Sequence, residues 1–364
     1  MGGSAFRHES RAQRIVLGAG VARTELAAEV AAVGGTRVLL IAAPAEAGLA
    51  EQLTRDLPVV GTFDGVREHV PVEVAEAART LATRLRADVL VCVGGGSTTG
   101  TAKAVAMTSG LPIVAVPTTY AGSEATAVWG LTERGRKTTG TDPSVLPRSV
   151  VYDPELTVTL PVDLTVASGL NAMAHCVDSL WGPDANPVSE ALAVAGARAL
   201  RQGLPAVRLD GTDLAARADV LGAAYLAATA FASAGSGLHH KICHVLGGTY
   251  ALPHAATHAV VLPHVAAFNV PLSPTAGSAL ALAMGRDDGV TGLRDLYLAL
   301  DAPTALRDLG LAESDLPEAV GLVVEAAPAS NPRPVDTAGI EQLLRAAWSG
   351  EPAGTPPATT RGHR

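Results

Sequence analysis

The sequence predicts an α/β nucleotide-binding domain built on a parallel sheet, followed by an all-α domain. Three observations carry that expectation. From Arg14 to about Val150, short β-branched runs alternate with helical patterns, which is how strands and crossover helices of a parallel sheet read. Glycine clusters stand where several of those runs end. After Asp153-Pro154 nearly every segment is Ala/Leu-rich with helical spacing, broken by clusters such as Gly182-Pro183-Asp184 and Gly203-Leu204-Pro205.

In chain order, Ile15-Val16-Leu17 reads as a strand running into Gly18-Ala19-Gly20, and 21–33 as a helix stopped by Gly34-Gly35. Residues 37–41 are apolar again, and Val59-Val60 marks another strand. A helix over 71–86, a strand over 88–93, a helix over 98–108 and a strand over 113–116 complete the α/β half. The division falls at 1–158 for the dinucleotide-binding domain and 159–350 for the helical domain that holds substrate. Residues 351–364 are polar and rich in turn formers and read as a flexible tail. At 364 residues the chain has ample material for two cores.

Composition removes several classes of function. With 48% hydrophobic and 17% charged residues the chain is too apolar to be disordered. A net charge of −8 implies no basic face for nucleic acid. Three cysteines without a C-x-x-C spacing predict a reducing, cytoplasmic setting. The segment 242–285 lacks Asp, Glu, Lys and Arg, but four prolines and four histidines interrupt it, so no membrane partner is expected. Residues 220–238 are small and uncharged and read as a closely packed internal helix. Two oddities remain: three of the 27 basic residues are lysine (Lys103, Lys137, Lys241), and six of the ten histidines lie between His239 and His264.

The chemistry-bearing segments differ in strength. Gly18-Ala19-Gly20-Val21-Ala22-Arg23 has Arg where a dinucleotide fingerprint needs its third glycine, and reads as a turn. The following strand runs into Ala42-Ala43-Pro44, with no acid at its end for the ribose hydroxyls. Gly94-Gly95-Gly96-Ser97 follows an apolar strand and precedes a helix, so its bare amides suit a pyrophosphate. Lys103, two turns on, is expected to face solvent or another element. The hydroxyls of Thr118, Thr119 and Ser123 follow the next strand and could reach ribose and nicotinamide. Asn171 and His175 are four apart, as are His240 and His244, so each pair shares a helix face; His254 and His258 follow. Such a cluster invites a Zn²⁺ or Fe²⁺ ion, yet no carboxylate accompanies it.

Together these segments resemble the iron-containing alcohol dehydrogenase superfamily, on the dehydroquinate synthase-like fold, and within it the maleylacetate reductase branch. The resemblance rests on G-G-G-S at 94–97, P-T-T-Y-A-G-S-E at 117–124, K-T-T-G at 137–140, V-Y-D-P-E-L at 151–156 and S-G-L-N-A-M-A-H at 168–175. It continues through D-A-N-P at 184–187, G-L-H-H-K-I-C-H at 237–244, L-P-H-A-A-T-H at 252–258 and N-P-R-P at 331–334. It implies an active site in the cleft between the domains, and a homodimer.

In metal-dependent relatives an Asp and three His bind the ion; the matching positions are Asn171, His175, His240 and His254. An amide replaces the one anionic ligand, so no metal is expected. The implied reaction is reduction of the carbon–carbon double bond of maleylacetate to 3-oxoadipate by NADH or NADPH, in the breakdown of resorcinol, hydroxyquinol and chlorinated catechols. Hydride adds β to the ketone and an enolate forms, which calls for donors, cations for two carboxylates and a proton source. The implied catalytic residues are His244 and His254, with His175 and His240 beside them. Tyr120, Asn171, His239, Lys241 and His258 are expected to bind the dicarboxylate substrate. Gly94, Gly95, Gly96, Ser97, Thr118, Thr119, Ser123 and Lys137 are expected to hold the cofactor, and Ala43 predicts that both cofactors serve. Ala256 departs from the Glu expected there. Competing readings are a metal-dependent alcohol dehydrogenase, a reductase repurposed for a related oxo acid, a lyase or cyclase on the same fold, and a non-catalytic nucleotide-binding protein.

Overall fold

The computed structural model describes residues 5–133 and 136–353; the expected tail at 351–364 lies almost wholly outside them. Eight strands form in chain order: β1 (Arg14–Leu17), β2 (Val38–Ile41), β3 (Val59–Phe63), β4 (Val89–Gly94), β5 (Ile113–Pro117), β6 (Val128–Glu133), β7 (Arg136–Thr141) and β8 (Ser149–Tyr152). Six make one sheet in the order β1-β8-β5-β4-β2-β3, every pair parallel. Strands β2, β4, β5 and β8 are buried along their whole length, which accounts for their unbroken apolar runs.

Helices α1 (Val21–Thr24), α2 (Leu26–Ala32), α3 (Ala47–Leu53), α4 (Val72–Leu85) and α5 (Gly96–Ser109) accompany the sheet. The expected 21–33 helix is thus broken at Glu25. Three strands and helix α3 went unanticipated. Strand β8 is a buried run of four residues, Ser-Val-Val-Tyr, paired with β1 and β5, that the sequence pattern leaves unassigned. Strands β6 and β7 form an antiparallel hairpin in which Gly130, Gly140 and several threonines interrupt the alternation that signals a strand.

The second half is helical: α6 (Val162–Ser179), α7 (Pro187–Leu209), α8 (Leu214–Ala234), α9 (Leu238–Tyr250), α10 (His254–Asn269), α11 (Pro274–Met284), α12 (Gly289–Leu300), α13 (Leu316–Ala326) and α14 (Thr337–Ser349). Helix α6 is almost wholly buried, with α7, α8 and α10 packed on it. The approach is close: a Cβ on Gly169 would lie 2.2 Å from Leu204 Cδ2. Helix α8 and the stretch 254–272 are long and apolar enough to cross a membrane by length and composition, but half or more of each is covered by the protein itself.

A buried polar joint ties the halves. Arg217, at the start of α8, donates to the Tyr120 hydroxyl at 3.0 Å, to Thr157 Oγ1 at 3.2 Å and to the Gly211 carbonyl at 2.6 Å. The Tyr120 amide donates to Ser168 Oγ on α6. The loop after β5 is thereby held against the helical half.

Candidate active site

Connections leave β2 and β4 in opposite directions, one toward β3 and one toward β5, although the two strands are neighbours. The crevice at their carboxyl ends is where open α/β sheets take ligands. Gly94 closes β4 with φ +148°, and a Cβ there would meet Thr98 Oγ1 at 2.5 Å; one on Gly95 would lie 3.1 Å from Thr119 Cγ2. Helix α5 starts at once, with no side chain capping its first amides. Bare amides at a positive helix end, in a turn that side chains would fill, fit the pyrophosphate of a dinucleotide. The Gly18–Gly20 turn differs, because the Asp153 carboxylate already accepts from the Gly20 and Ala22 amides. It is a turn, as its sequence indicates. Past β2, Ala43 is half-buried; the next carboxylate along the chain is Glu46, whose pKa is pushed up by burial.

The loop after β5 leads from this crevice into the helical half. Thr119 abuts Gly95, and a Cβ on Gly122, whose φ is +76°, would sit 3.6 Å from His175 Cε1. Lys103 anchors the loop from beneath. It is fully buried and donates from Nζ to the carbonyls of Ser123 (2.7 Å), Thr126 (2.8 Å) and Val128 (2.7 Å). Burial pushes its ammonium down to about 7, against the opposing pull of Glu124. Of the two expected faces for Lys103, the structure selects the neighbouring element and excludes solvent.

Beyond the loop six imidazoles form one connected group. His175 stacks on His240 with ring centroids 5.0 Å apart; His240 neighbours His258 at 4.8 Å and His244 at 6.2 Å, and His254 neighbours His258 at 4.3 Å. His239 lies 5.0 Å from His240, and Phe231 covers His240 at 4.1 Å. Exposure is graded across the group: His239, His240 and His258 are buried, His175 and His244 half-buried, and His254 exposed. Burial and then the neighbouring rings hold His240 and His258 far below the usual imidazole range, and burial lowers His175 to about 4. The inner rings are therefore neutral at neutral pH. His264, in the same stretch of sequence, is buried farther along α10.

Asp178, on α6, organises the inner rings. Its Oδ2 accepts from His240 Nδ1 at 2.8 Å and from the Gly237 amide at 2.9 Å, and its Oδ1 from Trp181 Nε1 at 2.8 Å and the His239 amide at 3.3 Å. A Cβ on Gly237 would come within 2.4 Å of Asp178 Oδ1, so glycine there is what admits the carboxylate to the start of α9.

The residues do not fit a resident ferrous ion. Donor atoms of a tetrahedral site lie roughly 3.4 Å apart when each is about 2.1 Å from the metal. Among the described residues, one group of His, Cys, Asp or Glu brings three donor atoms within 4.8 Å of one another, and it is His239, His240 and His258 rather than His175, His240 and His254. His239 is already engaged, with Nε2 3.1 Å from the His258 carbonyl and Nδ1 3.4 Å from His240 Nδ1. The fourth position is the amide of Asn171, and Asp178 is saturated by N–H donors.

Two expectations, at Tyr120 and His239, are corrected by this arrangement. The Tyr120 hydroxyl, expected at a substrate carboxylate, is buried at the joint with Arg217 and Thr157. His239 spends both ring nitrogens on the protein. Ser123 turns its carbonyl to Lys103 and Thr126. Thr118 is buried and its amide donates to the Gly94 carbonyl. Lys137 belongs to β7, but its side chain lies outside the described residues. Lys241 is half-buried and close enough to depress His240 electrostatically. Around these rings, buried atoms without a hydrogen-bond partner among the described residues include Asn171 Oδ1, His175 Nδ1, His240 Nε2 and both ring nitrogens of His258. Sequence reasoning sets Asp178 aside as lying seven residues past Asn171, and misses Phe231 and Arg217; the available signal for Asp178 is its place three residues past His175, about one helical turn.

Comparison with known proteins gives a consistent picture. Residues 12–154 match the family model of iron-containing alcohol dehydrogenase, and residues 165–348 that of the C-terminal region of the Fe-containing alcohol dehydrogenase family. Maleylacetate reductase of Sphingobium indicum is 45% identical over 349 residues, 95% of this chain and 98% of its own. The crystal structure of an iron-containing alcohol dehydrogenase from Corynebacterium glutamicum superposes with a TM-score of 0.94 at 53% identity, covering 96% of this chain and 98% of its own. That of maleylacetate reductase from Rhizobium sp. strain MTP-10005 gives 0.90 at 41% identity, covering 95% and 99%.

Proposed function

The chain belongs to the iron-containing alcohol dehydrogenase family, and we propose that it is an NAD(P)H-dependent maleylacetate reductase that works without a metal. The observation that carries this reading is the set of buried, unpartnered polar atoms on Asn171, His175 and His258, beside the loop that leads from the glycine cradle. Buried polar groups are seldom left unsatisfied, so such a set implies a polar ligand.

When bound, the reduced nicotinamide supplies a hydride to the alkene carbon β to the substrate ketone. The work of this chain's residues follows from their surroundings. The neutral rings of His175 and His258 can donate N–H groups to a developing enolate oxygen without carrying a charge of their own; one such donor contributes about 3 kcal/mol in water-excluded sites. His244 and His254 stand at the solvent side of the cluster, where a ring can be recharged with protons, and so supply the proton for the α carbon. Lys241 is the cation for a substrate carboxylate. Exclusion of water by Phe231 and the buried rings strengthens each of these contacts.

Metal independence is supported by the neutral donor set, and metal analysis with a chelator control tests it: turnover is expected to persist at substoichiometric iron and zinc. Dual cofactor use is supported by Ala43 and tested by the two specificity constants, expected to differ by less than about a hundredfold, or 2.7 kcal/mol. A cytoplasmic setting is supported by three buried free thiols, Cys92, Cys176 and Cys243. A homodimer is supported by the outer strand β1, which ends the sheet with a free edge among the described residues, and is tested by sedimentation. The activity itself is tested by oxidation of NADH on addition of maleylacetate, with 3-oxoadipate as product.

A further inference from the structure

We propose that Asp178 is a positioning residue for the reduction, which holds His240 as the tautomer protonated on Nδ1 and leaves its Nε2 as a lone pair among the other rings. A carboxylate can only accept, so the 2.8 Å contact to His240 Nδ1 requires the proton on that nitrogen. The neighbouring contact agrees. His239 Nε2 faces the His258 carbonyl and must donate, which leaves His239 Nδ1 an acceptor, 3.4 Å from the same His240 Nδ1–H. Both tautomers are thus set by protein acceptors, and His240 Nε2, buried and without a protein partner, can only receive a hydrogen bond.

This reverses the part expected of His240. A lone pair repels an enolate oxygen, so His240 does not stabilise one. It accepts instead, and gives the cluster a direction in which His175 and His258 are the rings left to donate. The same carboxylate fixes the ring's position as well as its proton, because it also accepts from the Gly237 and His239 amides at the first turn of α9. Trp181 Nε1 and the absent side chain of Gly237 lock the carboxylate in turn. The catalytic consequence rests on the maleylacetate reading; the tautomer does not.

The test is made on the whole chain labelled in its histidine ring nitrogens, with His240→Gln identifying the resonances of His240. In the unliganded wild type, His240 is expected to show a protonated Nδ1 and an unprotonated Nε2. In Asp178→Asn the side-chain amide can donate, and the ring is expected to invert, with kcat down by about a hundredfold or more and the cofactor KM within about threefold. In a His240→Gln background the same change should cost little further kcat, because Asp178 acts through that ring. An Nε2-protonated His240 in the wild type overturns the proposal even if Asp178→Asn does not fold. A kcat loss that persists undiminished in the His240→Gln background, or an Asp178→Asn variant with undiminished turnover, overturns it too. Since the ring readout needs no substrate, its failure is separate from failure of the substrate reading.

Discussion

His254 is exposed and His244 half-buried, whereas His239, His240 and His258 behind them are buried. That gradient separates two tasks: the outer rings exchange protons and the inner ones hold a fixed, neutral hydrogen-bonding pattern. His244→Ala and His254→Ala are accordingly expected to lower turnover by about a hundredfold or more while the melting temperature changes little. Equal turnover of both variants and wild type in a nicotinamide assay would remove these residues from the mechanism. Asn171 carries the opposite argument. Its Oδ1 is buried and unpartnered, and a carboxylate there would face a dianionic substrate. Asn171→Asp is expected to lower kcat/KM at least tenfold, about 1.4 kcal/mol, and an unchanged value would show that this amide does not meet substrate. The histidines were legible in the sequence because six in one window is an extreme density. The role of Asp178 was not, since its partners at Gly237, His239 and His240 are remote in the chain and nothing within helix α6 marks which of its two acids they will close upon. Tyr120 misled for the related reason that a hydroxyl in a polar loop says nothing of a buried Arg217 arriving from α8.

Among the elements, the turn from β4 into α5 and the loop after β5 decide whether a dinucleotide can be held. At Gly94 the backbone conformation and the 2.5 Å approach to Thr98 both forbid a side chain. Gly94→Ala is expected to raise the cofactor KM at least tenfold and lower stability by about 1–3 kcal/mol, read by titration and thermal melting; normal cofactor affinity would move the pyrophosphate elsewhere. Lys103 governs the second element. Lys103→Met strands three carbonyls beneath 123–128 and is expected to cost about 2–4 kcal/mol with loss of cofactor affinity. A fully stable variant would show that the loop needs no anchor. The turn was readable because three glycines and a hydroxyl after an apolar strand have a local cause. The anchoring role of Lys103 arises from carbonyls 20 to 25 residues farther along the chain, which local pattern does not register.

For the molecule as a whole, the net charge of −8 governs its remote partners and not its cleft, where neutral rings and Lys241 set the polarity. Buried neutral histidines also set an acid limit on the fold. Burial lowers His264 to about 4 from 6.5, so between those values the unfolded chain binds a proton that the folded chain refuses. The folded state therefore loses stability as pH falls from about 6.5 toward 4, by up to about 3 kcal/mol for this ring. In His264→Leu the decline of melting temperature over that interval should be shallower than in wild type, and identical slopes would contradict the sign. The two halves meet at the Tyr120–Arg217 joint, which brings the loop from the glycine cradle to within contact of His175, and the account stands on chemistry across that junction. Its most direct test is the oxidation of NADH by maleylacetate with chelator-treated, metal-analysed protein. Formation of one 3-oxoadipate per NADH at an undiminished rate is the predicted result. Inactivity toward maleylacetate, with iron-restored oxidation of a simple alcohol, would contradict it.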